Sequence, residues 1–197
     1  YNPVLNDAMF QKAEQPIDHP WFREEQPPVL LGVGRLEPQK DFPNLLRAFA
    51  LLRKKQMARL VILGEGNLRG QLEALVKELG IEEDVQLPGF HSNPYAFMKR
   101  ADVFVLSSVL EGLPTVLIEA MALGTPVVST DCKSGPKEIL GASGYGTLVP
   151  AQNPEALATA IEKTLNSPKQ PIDQNKLKRY TSDEATKNYL RVAGFKV

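Results

Sequence analysis

The chain has 197 residues, enough for one large domain or two small ones, with the composition of a soluble globular protein. Its 23 Lys and Arg residues balance its 23 Asp and Glu residues, so no net charge draws it to nucleic acid. The single cysteine, Cys132, excludes an internal disulfide, and the two distant histidines, His19 and His91, argue against a zinc site. No apolar run approaches the roughly 18–20 residues of a membrane span, and no signal peptide is visible. We therefore expect a reducing, cytoplasmic setting.

Residues 1–28 contain five prolines and show little periodicity, which predicts a linker and N-terminal arm. Within this arm, Trp21 and Phe22 are expected to dock on the rest of the chain. The chain opens at Tyr1 rather than at a methionine, and we interpret it as the second half of a longer protein.

From Val29 onward, short apolar runs alternate with segments of helical periodicity. The runs predict strands at 29–33, 60–63, 85–87, 103–106, 126–129 and 147–149. Helix starts are predicted at Asn67, Asn93-Pro94, Pro114 and Asn153-Pro154, and Gly80 is predicted to end the second helix. Residues 29–166 thus form one predicted domain, followed by a polar, proline-bearing segment and C-terminal helices within 167–197.

Short apolar strands that are each followed by a helix predict an α/β fold, a doubly wound, Rossmann-like parallel sheet of about six strands. Ligands of such sheets bind outside the carboxyl ends of the strands. Five glycine-rich or polar segments follow the predicted strands and are expected to meet at that edge: 34–40, 64–66, 89–93, 107–114 and 130–135.

The first of these segments resembles the glycine fingerprint of dinucleotide-binding folds, but Glu37 stands where the third glycine belongs, and no P-loop is present. Gly34 lets the backbone approach a ligand, and Arg35 and Lys40, beside a helix start, suit a pyrophosphate. The alternative is that both are ordinary surface charges, paired with Glu37 and Asp41.

Two glutamates flank the predicted helix start at Pro114. Glu119 lies one turn into a helix that is apolar on nearly every face, and a carboxylate in such a place needs a partner, which a hydroxyl-rich ligand would supply. The alternative for Glu119 is a structural salt bridge with Arg35 or Lys133. For Glu111 it is solvation, or stabilisation by the helix dipole.

The turn after the third strand, Gly89-Phe90-His91, combines a flexible backbone with an aromatic ring that could stack on a base. The alternatives are that Phe90 belongs to the core and that His91 is a surface histidine. Glu65, after the second strand, occupies the position where dinucleotide dehydrogenases hold the ribose, so an NAD-binding domain stays open as an interpretation.

Taken together, these loops resemble the donor-binding half of retaining GT-B glycosyltransferases of family 4, which carry an E-x7-E signature. The resemblance runs from about Val29 to Leu165 and rests on five motifs in order. These are Gly34-Arg35-Leu36 with Gln39-Lys40, Gly64-Glu65-Gly66, Leu87-Pro88-Gly89-Phe90, Ser107 with Glu111-Gly112-Leu113-Pro114, and Glu119-Ala120-Met121-Ala122-Leu123-Gly124 with Pro126-Val127.

The resemblance implies that Arg35 and Lys40 hold the donor's diphosphate, with Glu111 on the transferred sugar and Glu119 on the ribose. It assigns catalytic roles to Glu111, Arg35 and Lys40, and it implies no metal or other cofactor, since cations and helix-end amides can stabilise the departing nucleoside diphosphate. The implied donor-binding set is Gly34, Arg35, Lys40, Gly89, Phe90, His91, Glu111, Gly112, Leu113, Pro114, Thr115 and Glu119.

The function implied is transfer of a hexose or N-acetylhexosamine from a nucleotide-diphospho-sugar, with UDP-sugar as the expected donor. The acceptor hydroxyl, on a glycan, lipid or protein, would be held by an N-terminal domain outside this chain. That domain is also the part expected to reach the inner face of a membrane. The chain by itself is expected to bind donor weakly and to turn nothing over.

Three alternatives remain open at this point. A sugar-nucleotide epimerase is disfavoured because the His- and Arg-containing catalytic loops usual in its second domain are missing from this sequence. An NAD-binding oxidoreductase is disfavoured by Glu37 in the glycine loop. A non-catalytic nucleotide-sugar-binding module cannot be separated from half of an enzyme by sequence.

Overall fold

The computed structural model describes residues 3–169 and 171–192, which alternate between strands and helices. The strands are β1 (Val29–Val33), β2 (Arg59–Leu63), β3 (Val85–Gly89), β4 (Val103–Leu106), β5 (Val127–Thr130) and β6 (Thr147–Val149). The helices are α1 (Asp7–Glu14), α2 (Phe42–Arg53), α3 (Arg69–Glu78), α4 (Pro94–Arg100), α5 (Thr115–Ala122), α6 (Pro136–Ser143), α7 (Pro154–Leu165) and α8 (Ser182–Val192). Short 3₁₀ helices span Pro20–Phe22, Pro38–Lys40, Glu82–Asp84 and Gln174–Tyr180.

The six strands form one parallel sheet in the order β3-β2-β1-β4-β5-β6. In the centre, Leu31 of β1 aligns with Val61 of β2 on one side and with Phe104 of β4 on the other. The strand order reverses between β1 and β4, which is where doubly wound sheets open a crevice for a ligand. The predicted fold class is confirmed.

Alternate residues of the central strands feed two separate core layers. Leu30 and Leu60 point to the face covered by α2, α3 and α7, with Phe49 at its centre. Leu31 and Val61 point to the opposite face, covered by α4 and α5. Both faces of every central strand are therefore dry, and the loops at the strand ends are the parts left open to a ligand.

The N-terminal arm is more ordered than its sequence suggests. Residues 7–14 form helix α1, which packs against α4 and which the proline-rich sequence did not predict. Trp21 is buried in the second core layer and Phe22 packs edge-on against Phe97, so the expected docking of these two aromatic residues is confirmed. His19 fixes this region by a 2.9 Å hydrogen bond to Gln86 of β3.

The ends of two helices test the capping signals. Asn67 was expected to cap α3, but this helix begins at Arg69 with Leu68 at its cap and no side-chain cap bond, so that prediction is wrong. Gly80, with φ +65°, follows the end of α3 as predicted. Asn153 caps α7 as predicted, and its side chain accepts a hydrogen bond from the Ala156 amide at 2.8 Å.

No helix in the described part of the chain is long and apolar enough to cross a bilayer.

The two asparagines form a matched pair for a stability test. Asn153→Ala should lower the free energy of unfolding by about 1 kcal/mol, because the first turn of α7 loses its cap. Asn67→Ala should change it by less than about 0.5 kcal/mol, because Asn67 is exposed and caps nothing. Denaturant unfolding of both variants checks this, and equal losses would contradict the assignment of the two caps.

Candidate functional site

The loops that follow the strands meet at one edge of the sheet, as the topology predicts. The amide of Gly34, after β1, donates to the Leu63 carbonyl at 3.0 Å, and the amide of Gly64, after β2, donates to the Gly89 carbonyl at 2.9 Å. The amide of Val109, after β4, donates to the Gln39 carbonyl at 3.0 Å. Backbone hydrogen bonds thus join the loops after β1, β2, β3 and β4 into one surface.

A glycine is required where the first two loops cross. Gly64 has φ +149°, and a Cβ atom at this position would lie 1.9 Å from the Gly34 carbonyl oxygen. A side chain would therefore push the two loops apart. The Gly64-Glu65-Gly66 motif of the sequence serves this close approach.

A cavity of about 560 Å³ opens beside the crossing. Phe90 lies at this cavity with 77% of its surface exposed, so the alternative that it belongs to the core is wrong. His91 is also exposed, and its Nδ1 accepts a hydrogen bond from the Asn93 amide at 3.2 Å. The cavity is lined by Val33, Gly34, Arg35, Leu63, Gly64, Glu65, Phe90, His91 and Pro94.

Glu65 is engaged by protein groups on the rim of this cavity. Its carboxylate accepts two hydrogen bonds from Arg69, at 2.8 and 2.9 Å, and one from the Phe90 amide. These bonds hold the pKa of Glu65 below its ordinary value, the bonds from Arg69 contributing most. Arg69 also donates to the Leu87 carbonyl at 3.1 Å. The two side chains therefore stabilise the turn after β3. The Glu65 carboxylate is bound to protein donors here and is not left open to bind ribose hydroxyls.

The two cations of the first loop lie in different environments. Arg35 is 76% exposed, and its guanidinium is 3.6 Å from Glu37, a surface pair of little energetic value. Lys40 is 19% exposed and donates to Glu111 Oε1 at 2.6 Å. The alternative of pairing with sequence neighbours thus holds for Arg35 and fails for Lys40.

Glu111 is a buried, paired carboxylate. Besides Lys40, it accepts a hydrogen bond from the Ser108 hydroxyl at 2.6 Å, again on Oε1. Its carbonyl accepts one from the Ser134 hydroxyl, also at 2.6 Å, so it links the loops after β1, β4 and β5. The alternative that Glu111 is solvated is wrong. Neither serine was given a role of its own from the sequence, although Ser107 and Ser108 follow an apolar strand, where polar residues indicate a site.

The start of α5 lies between the two glutamates. Pro114 occupies the cap position and Thr115 is the first helical residue, one later than predicted. Gly112 and Thr115 are exposed, whereas Leu113 is half-buried and Pro114 is buried. The first-turn amides of α5 therefore open on the same edge, where a helix N-terminus favours an anion.

Glu119 lies one turn into α5, half-buried, and carries the least satisfied carboxylate of the site. Over residues 3–169 and 171–192 its side chain makes neither a salt bridge nor a hydrogen bond, so the alternative of a pair with Arg35 or Lys133 is not found. Burial raises its pKa to about 7. Tyr95 of α4, which the sequence analysis missed, is close enough that the charge of Glu119 adds to burial in raising the pKa of its phenol.

No three His, Cys, Asp or Glu side chains group into a metal-binding cluster within the described ranges.

The six-stranded, doubly wound parallel sheet matches the domains of GT-B glycosyltransferases. The model of glycosyl transferases group 1 matches residues 14–184, and the chain belongs to this family.

Curated relatives are glycosyltransferases. An N-acetylgalactosamine-N,N'-diacetylbacillosaminyl-diphospho-undecaprenol 4-alpha-N-acetylgalactosaminyltransferase of Campylobacter jejuni is 44% identical over 169 residues, which cover 86% of this chain and 44% of the relative. An uncharacterized glycosyltransferase of Methanocaldococcus jannaschii is 40% identical over 138 residues, covering 68% of this chain and 34% of the relative. The chain thus spans less than half the length of these relatives.

Solved structures share the architecture. The lipopolysaccharide outer core galactosyltransferase WaaB superimposes with a TM-score of 0.74 at 27% identity, over 87% of this chain and 50% of that protein. The Anabaena protein HepE, solved in complex with UDP, superimposes with a TM-score of 0.70 at 20% identity, over 85% of this chain and 49% of that protein, a likeness of fold.

The raised pKa of Glu119 predicts a pH-dependent stability. The native state holds this proton more strongly than the unfolded chain does, since the pKa of about 7 lies above the ordinary 4.5. Ionisation therefore costs stability as pH rises from 4.5 to 7. The free energy of unfolding of Glu119→Gln should equal that of the parent near pH 4.5 and exceed it by about 2 kcal/mol at about pH 8. Each pKa unit is worth about 1.4 kcal/mol, and the total is reduced because part of the carboxyl is exposed to water. Denaturant unfolding at both pH values measures this, and a difference that is constant with pH would contradict it.

Proposed function

We propose that this chain is the donor-binding half of a retaining family 4 glycosyltransferase and that it binds a UDP-sugar. The observation that carries the proposal is Glu119, a half-buried carboxylate with no salt bridge or hydrogen bond from the described residues, at the edge where a ligand would lie. Vicinal ribose hydroxyls would supply the missing donors, since a buried carboxylate is stable only when it is hydrogen-bonded.

The diphosphate would lie between Arg35, Lys40 and the first-turn amides of α5. Negative charge develops on the departing nucleoside diphosphate during glycosyl transfer, and preorganised cations and amides stabilise it. Arg35 is free to swing toward a ligand because its pair with Glu37 is weak. We propose that these groups suffice, so that no resident metal is required.

The base would occupy the cavity of about 560 Å³ beside Phe90 and His91. The exposed ring of Phe90 is suited to stacking on a pyrimidine, and the turn that carries it is braced by Glu65 and Arg69. The sugar would extend from the diphosphate toward Glu111, whose carboxylate would accept a hydrogen bond from a hydroxyl of the sugar.

The transferred group is proposed to be an N-acetylhexosamine, specifically N-acetylgalactosamine. Support comes from the Campylobacter relative at 44% identity and from a second one at 37% identity, both named as N-acetylgalactosaminyltransferases of undecaprenol-linked saccharides. The corresponding acceptor is the hydroxyl of a lipid-linked saccharide. We propose that a further domain, outside the residues of this chain, holds that acceptor, so that this half alone binds donor without turnover.

Calorimetric titration with UDP, GDP, ADP and NAD tests the proposal. UDP should bind, and Arg35→Met should lower the affinity for UDP about tenfold, because a charge-assisted contact to phosphate is lost. The stability of this variant should be unchanged, since Arg35 is exposed. Lys54→Met, which removes a different exposed cation at the end of α2, is the matched control and should leave UDP affinity within about twofold. Preferential binding of NAD that is indifferent to Arg35 would overturn the proposal.

A further inference from the structure

Ser108 makes a buried hydrogen bond that the proposed function does not use. Its hydroxyl donates to Glu111 Oε1 at 2.6 Å, the same oxygen that Lys40 Nζ meets at 2.6 Å. Within the described parts of the chain, no hydrogen bond reaches the other oxygen, Oε2. Protein donors therefore hold the carboxylate by Oε1, and Oε2 is left to accept a hydrogen bond from a ligand.

Ser108 is itself fixed in place. It is fully buried at the second position after β4, and its carbonyl accepts a hydrogen bond from the Thr130 hydroxyl at 2.5 Å. Ser107, the residue before it, donates to the Lys40 carbonyl at 2.7 Å. With its backbone anchored and its side chain fully buried, the Ser108 hydroxyl has Glu111 as its hydrogen-bond partner.

The two bonds to Glu111 differ in what a ligand does to them. A diphosphate competes for Lys40, because an ammonium group donates to whichever anion is best placed. Once Lys40 turns to the phosphates, the bond from Ser108 is the side-chain contact that still orients the Glu111 carboxylate. The Ser108 hydroxyl cannot turn to the phosphates in this way, since its side chain is fully buried.

We propose that Ser108 is a positioning residue for the sugar subsite: it fixes Glu111 Oε1 so that Oε2 accepts a hydroxyl hydrogen of the transferred sugar while Lys40 serves the diphosphate. This inference rests on the proposed function. It implies that Ser108 affects the affinity for a nucleotide sugar and leaves the affinity for the nucleoside diphosphate alone, because UDP has no group in the sugar subsite.

Titration of Ser108→Ala with UDP-N-acetylgalactosamine and with UDP separates the two contributions. The affinity for the nucleotide sugar should fall about tenfold, as expected when a hydrogen bond to a charged group is lost, and UDP affinity should stay within about twofold. Thr125→Val is the matched control, because it removes another buried hydroxyl, which donates to the Met98 carbonyl away from the site. It should leave both affinities unchanged.

Ser108→Cys guards against a folding defect of the alanine variant. The thiol is larger than the hydroxyl and a weaker donor, but it keeps a donor at this position, so the loss of nucleotide-sugar affinity in Ser108→Cys should be smaller than that in Ser108→Ala. If Ser108→Ala lowers the affinities for UDP and for UDP-N-acetylgalactosamine equally, or lowers neither, the positioning role is wrong and the proposed function stands. If the unaltered chain binds neither ligand, the proposed function fails and the inference fails with it.

Discussion

The buried ion pair of Lys40 with Glu111 is the interaction on which the arrangement of the site depends. It joins the loop after β1 to the loop after β4, on either side of the point where the strand order reverses. Removing two charges from water is costly, and such a pair is stable only with further hydrogen bonds, which Ser108 supplies here. Removal of one partner would leave the other as a buried, unpaired charge and would lower the free energy of unfolding by about 3–5 kcal/mol.

The two glutamates of the E-x7-E pattern are held in opposite ways. Glu111 is saturated at one oxygen by protein donors, whereas burial without a described partner raises the pKa of Glu119 to about 7. A charged ligand that engages Lys40 and brings hydroxyl groups to Glu119 would satisfy both at once. The proposed nucleotide-diphospho-sugar, which is anionic at its centre and hydroxylated on both sides, has the chemistry that this arrangement would accept.

The fold was accessible from sequence because strand and helix periods differ and the strands are apolar on both faces, so all six strands were predicted. The convergence of the loops followed from topology. What sequence could not provide is pairing across distance: that Lys40 turns to Glu111 rather than Asp41, or that Glu65 meets Arg69 and the Phe90 amide, depends on how separate loops pack. Helix α1 was missed because short helices in proline-rich arms owe their stability to tertiary contacts, and the Asn67 cap failed because α3 begins later.

Amide NMR spectra recorded during addition of UDP-N-acetylgalactosamine would show whether these loops form one donor-binding edge. We expect the shifts to cluster at the amides of Gly34, Gly89, Gly112, Leu113 and Thr115, which lie on different loops of the same edge. Amides at the opposite edge, such as that of Lys54, should not move. Shifts confined to the opposite edge, or none at saturating ligand, would contradict this expectation.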